Sequence, residues 1–191
     1  MTDISDAEIH EIVKQVVEKA LGSPGREAVS AAPVQVAESS AKKVIAIGAD
    51  HGGYELKEAL KPELKTLGFE INDVGTNSKE AVDYPDFAHA VAQAVSAGNA
   101  WRGIMIDGAG IGSCIVANKV PGVRAAMAYD YSSAVNSREH NDTNVLTLGA
   151  GLIGVNLAKQ IVKTWLTTEF GGGRHTSRLD KIKSVEKKYL K

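Results

Sequence analysis

Four short polar stretches carry the residue types that move protons or hold anions. Asp50-His51-Gly52-Gly53 sets a carboxylate beside an imidazole, a pair suited to proton transfer or to binding hydroxyls. Asp107-Gly-Ala-Gly-Ile-Gly-Ser-Cys114 follows a carboxylate with a loop in which Gly108, Gly110 and Gly112 permit close backbone approach. If that loop opens onto a helix, its free N–H groups can face an anion or an oxyanion. Arg138-Glu-His-Asn-Asp142 brings His140 and Asn141 together. Gly171-Gly-Gly-Arg-His-Thr-Ser-Arg178 spaces Arg174 and Arg178 four apart, which on a helix is one face suited to a phosphate. Each stretch also has a plainer reading. Asp50 can be a helix cap, His140 and Asn141 a capped turn, the arginine pair a solvated face, and Cys114 a buried structural thiol.

These residues need a scaffold, and the apolar pattern supplies one. Lys43-Val-Ile-Ala-Ile-Gly-Ala49 is a near-continuous apolar run ending at the Asp50 turn, as a buried parallel strand should read. Further strands are predicted at 69–74, 103–107, 124–128 and 145–148. Leu56, Leu60, Leu64 and Leu67 mark a helix that Pro62 should kink or split. Pro85 opens another, the glycine loop leads into a third ending near Lys119, and others are predicted near 132–139, 155–166 and 177–190. Five strands alternating with helices imply a right-handed, doubly wound parallel α/β sheet. Three of the four polar stretches then lie at or beside carboxyl ends of strands, where such sheets bind ligands.

The glycine loop is not a dinucleotide fingerprint, which belongs after the first strand, and no Gly-Lys-Ser/Thr makes it a phosphate loop of the nucleotide-hydrolase type. The chain has 191 residues, 43% apolar and 24% charged, with 22 basic against 23 acidic side chains. A net charge of −1 gives no basic field for nucleic acid. One cysteine excludes an internal disulfide framework and a thiolate-rich metal site, and a reducing, cytoplasmic setting is expected. No apolar run is long enough to span a membrane, and the polar start does not read as a secretory signal.

Taken together, the clusters resemble the ribose-5-phosphate isomerase B and galactose-6-phosphate isomerase family. The resemblance rests on Val44 through Gly53, Leu56-Lys57, Asp73-Val-Gly-Thr76, Asp83-Tyr-Pro-Asp86, Gly108 through Lys119, Pro121-Gly-Val-Arg124, Ser137 through Asn144 and Gly172-Gly-Arg-His175. It implies a Rossmann-like α/β/α sandwich, and a metal-free, cofactor-free aldose–ketose isomerase acting on a sugar phosphate. It also implies a homodimer, or tetramer of dimers, with the active site at the dimer interface. Asp50 and His51 would contact the sugar and Tyr84 would wall the pocket. His140 and Asn141 would assist ring opening, and the amides around Gly108, Gly110 and Gly112, beside Ser113, would hold the enediolate oxygen. Arg174 and Arg178, with His175, would grip the phosphate. The chain departs from the family at Asp107, where many members carry a catalytic Cys, and at Ser113, where another branch has Glu. It departs again at Ala109, usually Ser or Thr, and at Gly151, usually a phosphate-binding Arg. Asp107 is the expected base, with Cys114 as the alternative. A galactose-6-phosphate-type isomerase and a non-catalytic subunit needing a second chain are the competing readings.

Ahead of this domain, Ile9, Ile12, Val13, Val16, Val17, Ala20 and Leu21 recur at helical spacing within residues 5–21. Residues 22–42, rich in Gly, Pro, Ser and Ala, read as a linker, and 43–191 as the domain. A helix and linker ahead of an enzyme resemble the encapsulation peptides that route enzymes into bacterial microcompartments. Residues 1–21 would then bind shell proteins; the plainer reading is an assembly arm.

Overall fold

A computed structural model describes residues 43–189, together with 11 and 14–16. The chain divides into two units, Met1–Ser39 and Ser40–Lys191. In the first, residues 11 and 14–16 are helical. The rest of the expected helix over 5–21, and the linker over 22–42, lie outside the described residues.

In the second unit, β1 (Val44–Ala49), β2 (Glu70–Asp73), β3 (Arg102–Asp107), β4 (Ala125–Met127) and β5 (Val145–Gly149) form one parallel sheet in the order β2-β1-β3-β5-β4. The helices are α1 (Tyr54–Thr66), α2 (Tyr84–Ser96), α3 (Ile111–Ala117), α4 (Tyr131–Glu139), α5 (Val155–Thr167) and α6 (Arg174–Tyr189). Leu56, Leu60 and Leu64 of α1 and Ala158, Ile161, Val162 and Trp165 of α5 pack with Ile45, Ile47, Ile104 and Ile106 on one face of the sheet. Ala88, Val91 and Ala92 of α2 and Ala117 of α3 cover the other with Ala46 and Met105. The three-layer α/β/α sandwich is therefore built by side chains that alternate along each central strand.

Pro62 does not split its helix: α1 runs unbroken through it. Pro62 is exposed, so the hydrogen bond it cannot make is lost on the solvent side, where water replaces it. Helix α6 begins at Arg174 rather than 177, which puts Arg174 and Arg178 on the same helix.

The sheet order fixes where a ligand goes. The chain leaves β1 for β2 on one side and returns to β3 on the other, so β1 and β3 flank the topological switch point. A crevice opens beyond the carboxyl ends of strands at such a point. Asp50 follows β1 directly and Asp107 ends β3.

Candidate active site

The first group of expected residues converges at this switch point. Asp50, 8% exposed, turns its Oδ1 back to accept the Gly53 N–H at 2.9 Å, and so shapes the entry to α1. Its Oδ2 accepts no hydrogen bond among the described residues. His51 is exposed, and its Nδ1 lies 3.1 Å from the Val82 carbonyl and 3.2 Å from the Val82 amide. Whichever of these bonds forms sets the tautomer of the ring, and hence whether Nε2 donates or accepts. Tyr84, at the start of α2, lays its ring against Gly112: a Cβ there would sit 2.5 Å from the phenol ring.

The glycine loop folds around Asp107. The carboxylate, 4% exposed at the end of a fully buried strand, accepts from the Ala109 amide at 2.7 Å, the Gly110 amide, the Ser113 amide at 3.2 Å and the Ser113 hydroxyl. Gly110 reaches its place with φ 77°, the left-handed region that favours glycine. Four donors occupy the four lone-pair sites of a carboxylate. This differs from the expectation in two ways. Asp107 and Ser113 are turned into the loop, not into the crevice, and the Gly110 amide is spent on Asp107. The cause is the strand end itself: a carboxylate buried there draws in the nearest unpaired donors, which are the loop and first-turn amides. The amides of Gly108, Ile111 and Gly112 keep no protein acceptor among the described residues. Cys114 is half-buried, with Sγ 3.5 Å from the Ala125 carbonyl and 3.6 Å from the Asn118 amide. Burial pushes its thiol up, away from the thiolate.

The second group assembles where α4 ends and α6 begins. The His140 and His175 rings stack, with centroids 4.2 Å apart and planes 8° from parallel. Burial holds the His175 imidazole below its ordinary value, and the neighbouring His140, Arg174 and Arg178 charges add to this. A neutral ring suits the stack. The Asn136 amide donates to His140 Nδ1 at 2.8 Å, one helical turn away, leaving Nε2 to carry the neutral ring's proton. The Asn141 amide points back to Asn136. Arg174 and Arg178 are exposed, and neither forms an ion pair among the described residues. By contrast Arg124 and Arg138 are both spent on Asp142. A cavity of about 620 Å³ lies beside this group, lined by Asn136, Asn141, Arg124, Tyr129 and Ile182 among others. No hydrogen bond or ion pair among the described residues joins the two groups.

Two supporting interactions were not expected from the sequence. One is the Asn136–His140 bond, whose i,i+4 spacing is a signal for it. The other lies under the crevice. Lys57 is fully buried and donates to both oxygens of Asp73, at 2.6 and 2.8 Å, while Lys61 donates to the second oxygen at 2.8 Å. Asp73 also accepts the Gly75 amide at 3.0 Å. The Gly75 carbonyl accepts from Ala49 and the Thr76 amide donates to the Ala49 carbonyl, both at 2.7 Å. The ion pair thus braces the strand end from which Asp50 projects.

An open parallel sheet with two carboxylates at its switch point, and two arginines at a helix start with no ion pair among the described residues, defines a class: α/β proteins that bind small molecules beyond the carboxyl ends of their strands. Residues 45–182 match the Ribose/Galactose Isomerase family model, and the chain belongs to that family. It is a sugar-phosphate isomerase. It is 45% identical to ribose-5-phosphate isomerase B of Escherichia coli over 146 residues, 76% of this chain and 98% of that protein. It is 43% identical to D-erythrulose-4-phosphate isomerase of Pectobacterium atrosepticum over 139 residues, 72% of this chain and 91% of the other. The solved structure of Clostridium thermocellum ribose-5-phosphate isomerase B superposes with TM-score 0.75 at 53% identity, covering 76% of this chain and 99% of its own.

Proposed function

We propose that this chain interconverts ribose 5-phosphate and ribulose 5-phosphate through an enediolate, without a metal, in a cytoplasmic setting. The observation that carries this reading is the switch-point crevice, where the Asp50 carboxylate and the Gly108 amide, which has no protein acceptor among the described residues, border one point. A base and preorganised N–H donors are what enolisation next to a carbonyl requires. Arg174 and Arg178, with His175, would hold the phosphate, and His140 and Asn141 would open the sugar ring. A relative acting on a four-carbon sugar makes chain length the open variable of the substrate. The test is turnover of the purified chain with a panel of aldose phosphates. Ribose 5-phosphate should be turned over with the highest kcat/KM; preference for a galactose 6-phosphate-type hexose would reassign the substrate. Turnover of none would favour a binding subunit that needs a partner chain.

The active unit in this proposal is a homodimer. Support comes from the lack of any described link between the two residue groups. It also comes from the exposed apolar side chains of Ile111 and Ile115 on α3 and of Ile182, Val185 and Tyr189 on α6. In a dimer, one copy's His140 group would complete the other copy's Asp50 group. Mixing an Asp50→Asn chain with a His140→Asn chain should then recover activity that neither has alone. Residues 1–21 are proposed as an encapsulation peptide for microcompartment shell proteins, joined by the 22–42 linker to the 43–191 domain. Deleting residues 1–40 should leave turnover intact and abolish co-purification with shell proteins.

A further inference from the structure

Two carboxylates flank the crevice, and their hydrogen bonding divides the work between them. Both oxygens of Asp107 are filled, three of the four bonds coming from backbone amides fixed by the loop and the first turn of α3. An oxygen whose lone pairs are occupied cannot take a proton from carbon unless a donor first leaves. Among the described residues Asp50 accepts a single bond, on Oδ1. Its Oδ2 has no partner among the described residues and is not sealed from solvent, since no fully buried side-chain oxygen among them lacks a partner. The nearest unpaired amide is close by. A Cβ on Gly52 would lie 3.4 Å from Asp50 Oδ1 and 3.8 Å from the Gly108 nitrogen, so both border one point that glycine leaves open.

Resting on the isomerase reading above, we infer that Asp50 is the base that moves the carbon-bound proton, and that Asp107 is a positioning residue. Asp107 gathers the Ala109, Gly110 and Ser113 donors and so turns the Gly108, Ile111 and Gly112 amides outward. In the forward direction Asp50 Oδ2 takes the C2 proton. The C2–H electron pair becomes the C1=C2 double bond, and the carbonyl π pair moves to O1, against the outward amides. Asp50 then returns the proton to C1 while the O2 proton passes to O1. Nothing is consumed, and the enzyme ends as it began.

The test must separate this role from ring opening. Ribulose 5-phosphate serves, because its phosphorylated O5 cannot close a furanose and the ketose stays open. Exchange of its C1 proton in D2O, followed by NMR, reads the base alone. Asp50→Asn should lower this exchange and kcat by about 10²–10⁴-fold, with KM held to within a few-fold. Asp50→Glu, which keeps a carboxylate, should recover part of the rate. Asp107→Asn should lower thermal stability and weaken substrate binding, while C1 exchange by the folded variant falls far less than in Asp50→Asn. If Asp107→Asn does not fold, the two Asp50 variants decide alone. Normal C1 exchange in folded Asp50→Asn, or a loss confined to ribose 5-phosphate as substrate, overturns the inference. Absence of exchange by the unaltered chain with every sugar phosphate overturns the isomerase reading beneath it.

Discussion

Arg174→Ala and Arg178→Ala should each weaken substrate binding by roughly ten- to 150-fold, the factor equivalent to about 1.5–3 kcal/mol for a charge-assisted hydrogen bond. Both side chains sit on the first turns of α6, four residues apart, exposed and without a carboxylate partner among the described residues. Unpaired arginines on one helix face hold an anion without first breaking an ion pair. The residue at 151 is glycine, whose amide is tied to the Gly108 carbonyl at 3.0 Å, so no third guanidinium comes from that loop. The loss should appear in KM for the sugar phosphate, with kcat changed less, because the phosphate is bound alike in ground and transition states. Arg→Lys at either site should recover part of the affinity, since a point charge remains but the bidentate fork does not. Unchanged saturation in both alanine variants would put the phosphate elsewhere.

The second large effect is on stability. Asp73→Ala leaves the fully buried Lys57 ammonium with only the Glu58 carboxylate, at 3.3 Å and 39% exposed. Removing one partner of a buried pair costs about 3–5 kcal/mol, because the remaining charge stays desolvated. For a domain of this size that is a drop in Tm of roughly 6–20 °C, read by calorimetry or circular dichroism. The double variant Lys57→Met/Asp73→Leu removes both charges and should recover most of the loss. Burial raises the Asp73 carboxyl, but the Lys57 and Lys61 ammonium groups and the Gly75 amide outweigh it and hold it below the usual carboxylate range. A carboxyl depressed in the folded state contributes stability that is fully present above its unfolded value, near 3.9. That contribution is lost as pH falls through the lower folded value. Acid unfolding should therefore be shallower in Asp73→Ala than in the parent chain below about pH 4.

What the sequence determined alone is what depends on near neighbours. The apolar run over 44–49, the Leu56–Leu60–Leu64 stripe and the glycine loop after residue 107 each express a local period or a local backbone need. Strand, helix and turn follow from them directly. The placing of Asp50 and Asp107 at strand ends was legible for the same reason, as was the likeness of the polar clusters to a known family. The tertiary structure decided which atoms of those residues are left over. Asp107 and Ser113 are six residues apart, Lys57 and Asp73 sixteen, and His140 and His175 thirty-five. None of these pairs follows from helical or strand spacing, because each depends on how two elements meet. A carboxylate's free lone pair is the remainder after every nearby donor has been assigned, and donors are assigned only when the chain is folded. Pro62 makes the same point: its local preference is against the helix, but burial of Leu56, Leu60 and Leu64 against the sheet outweighs one hydrogen bond lost to water.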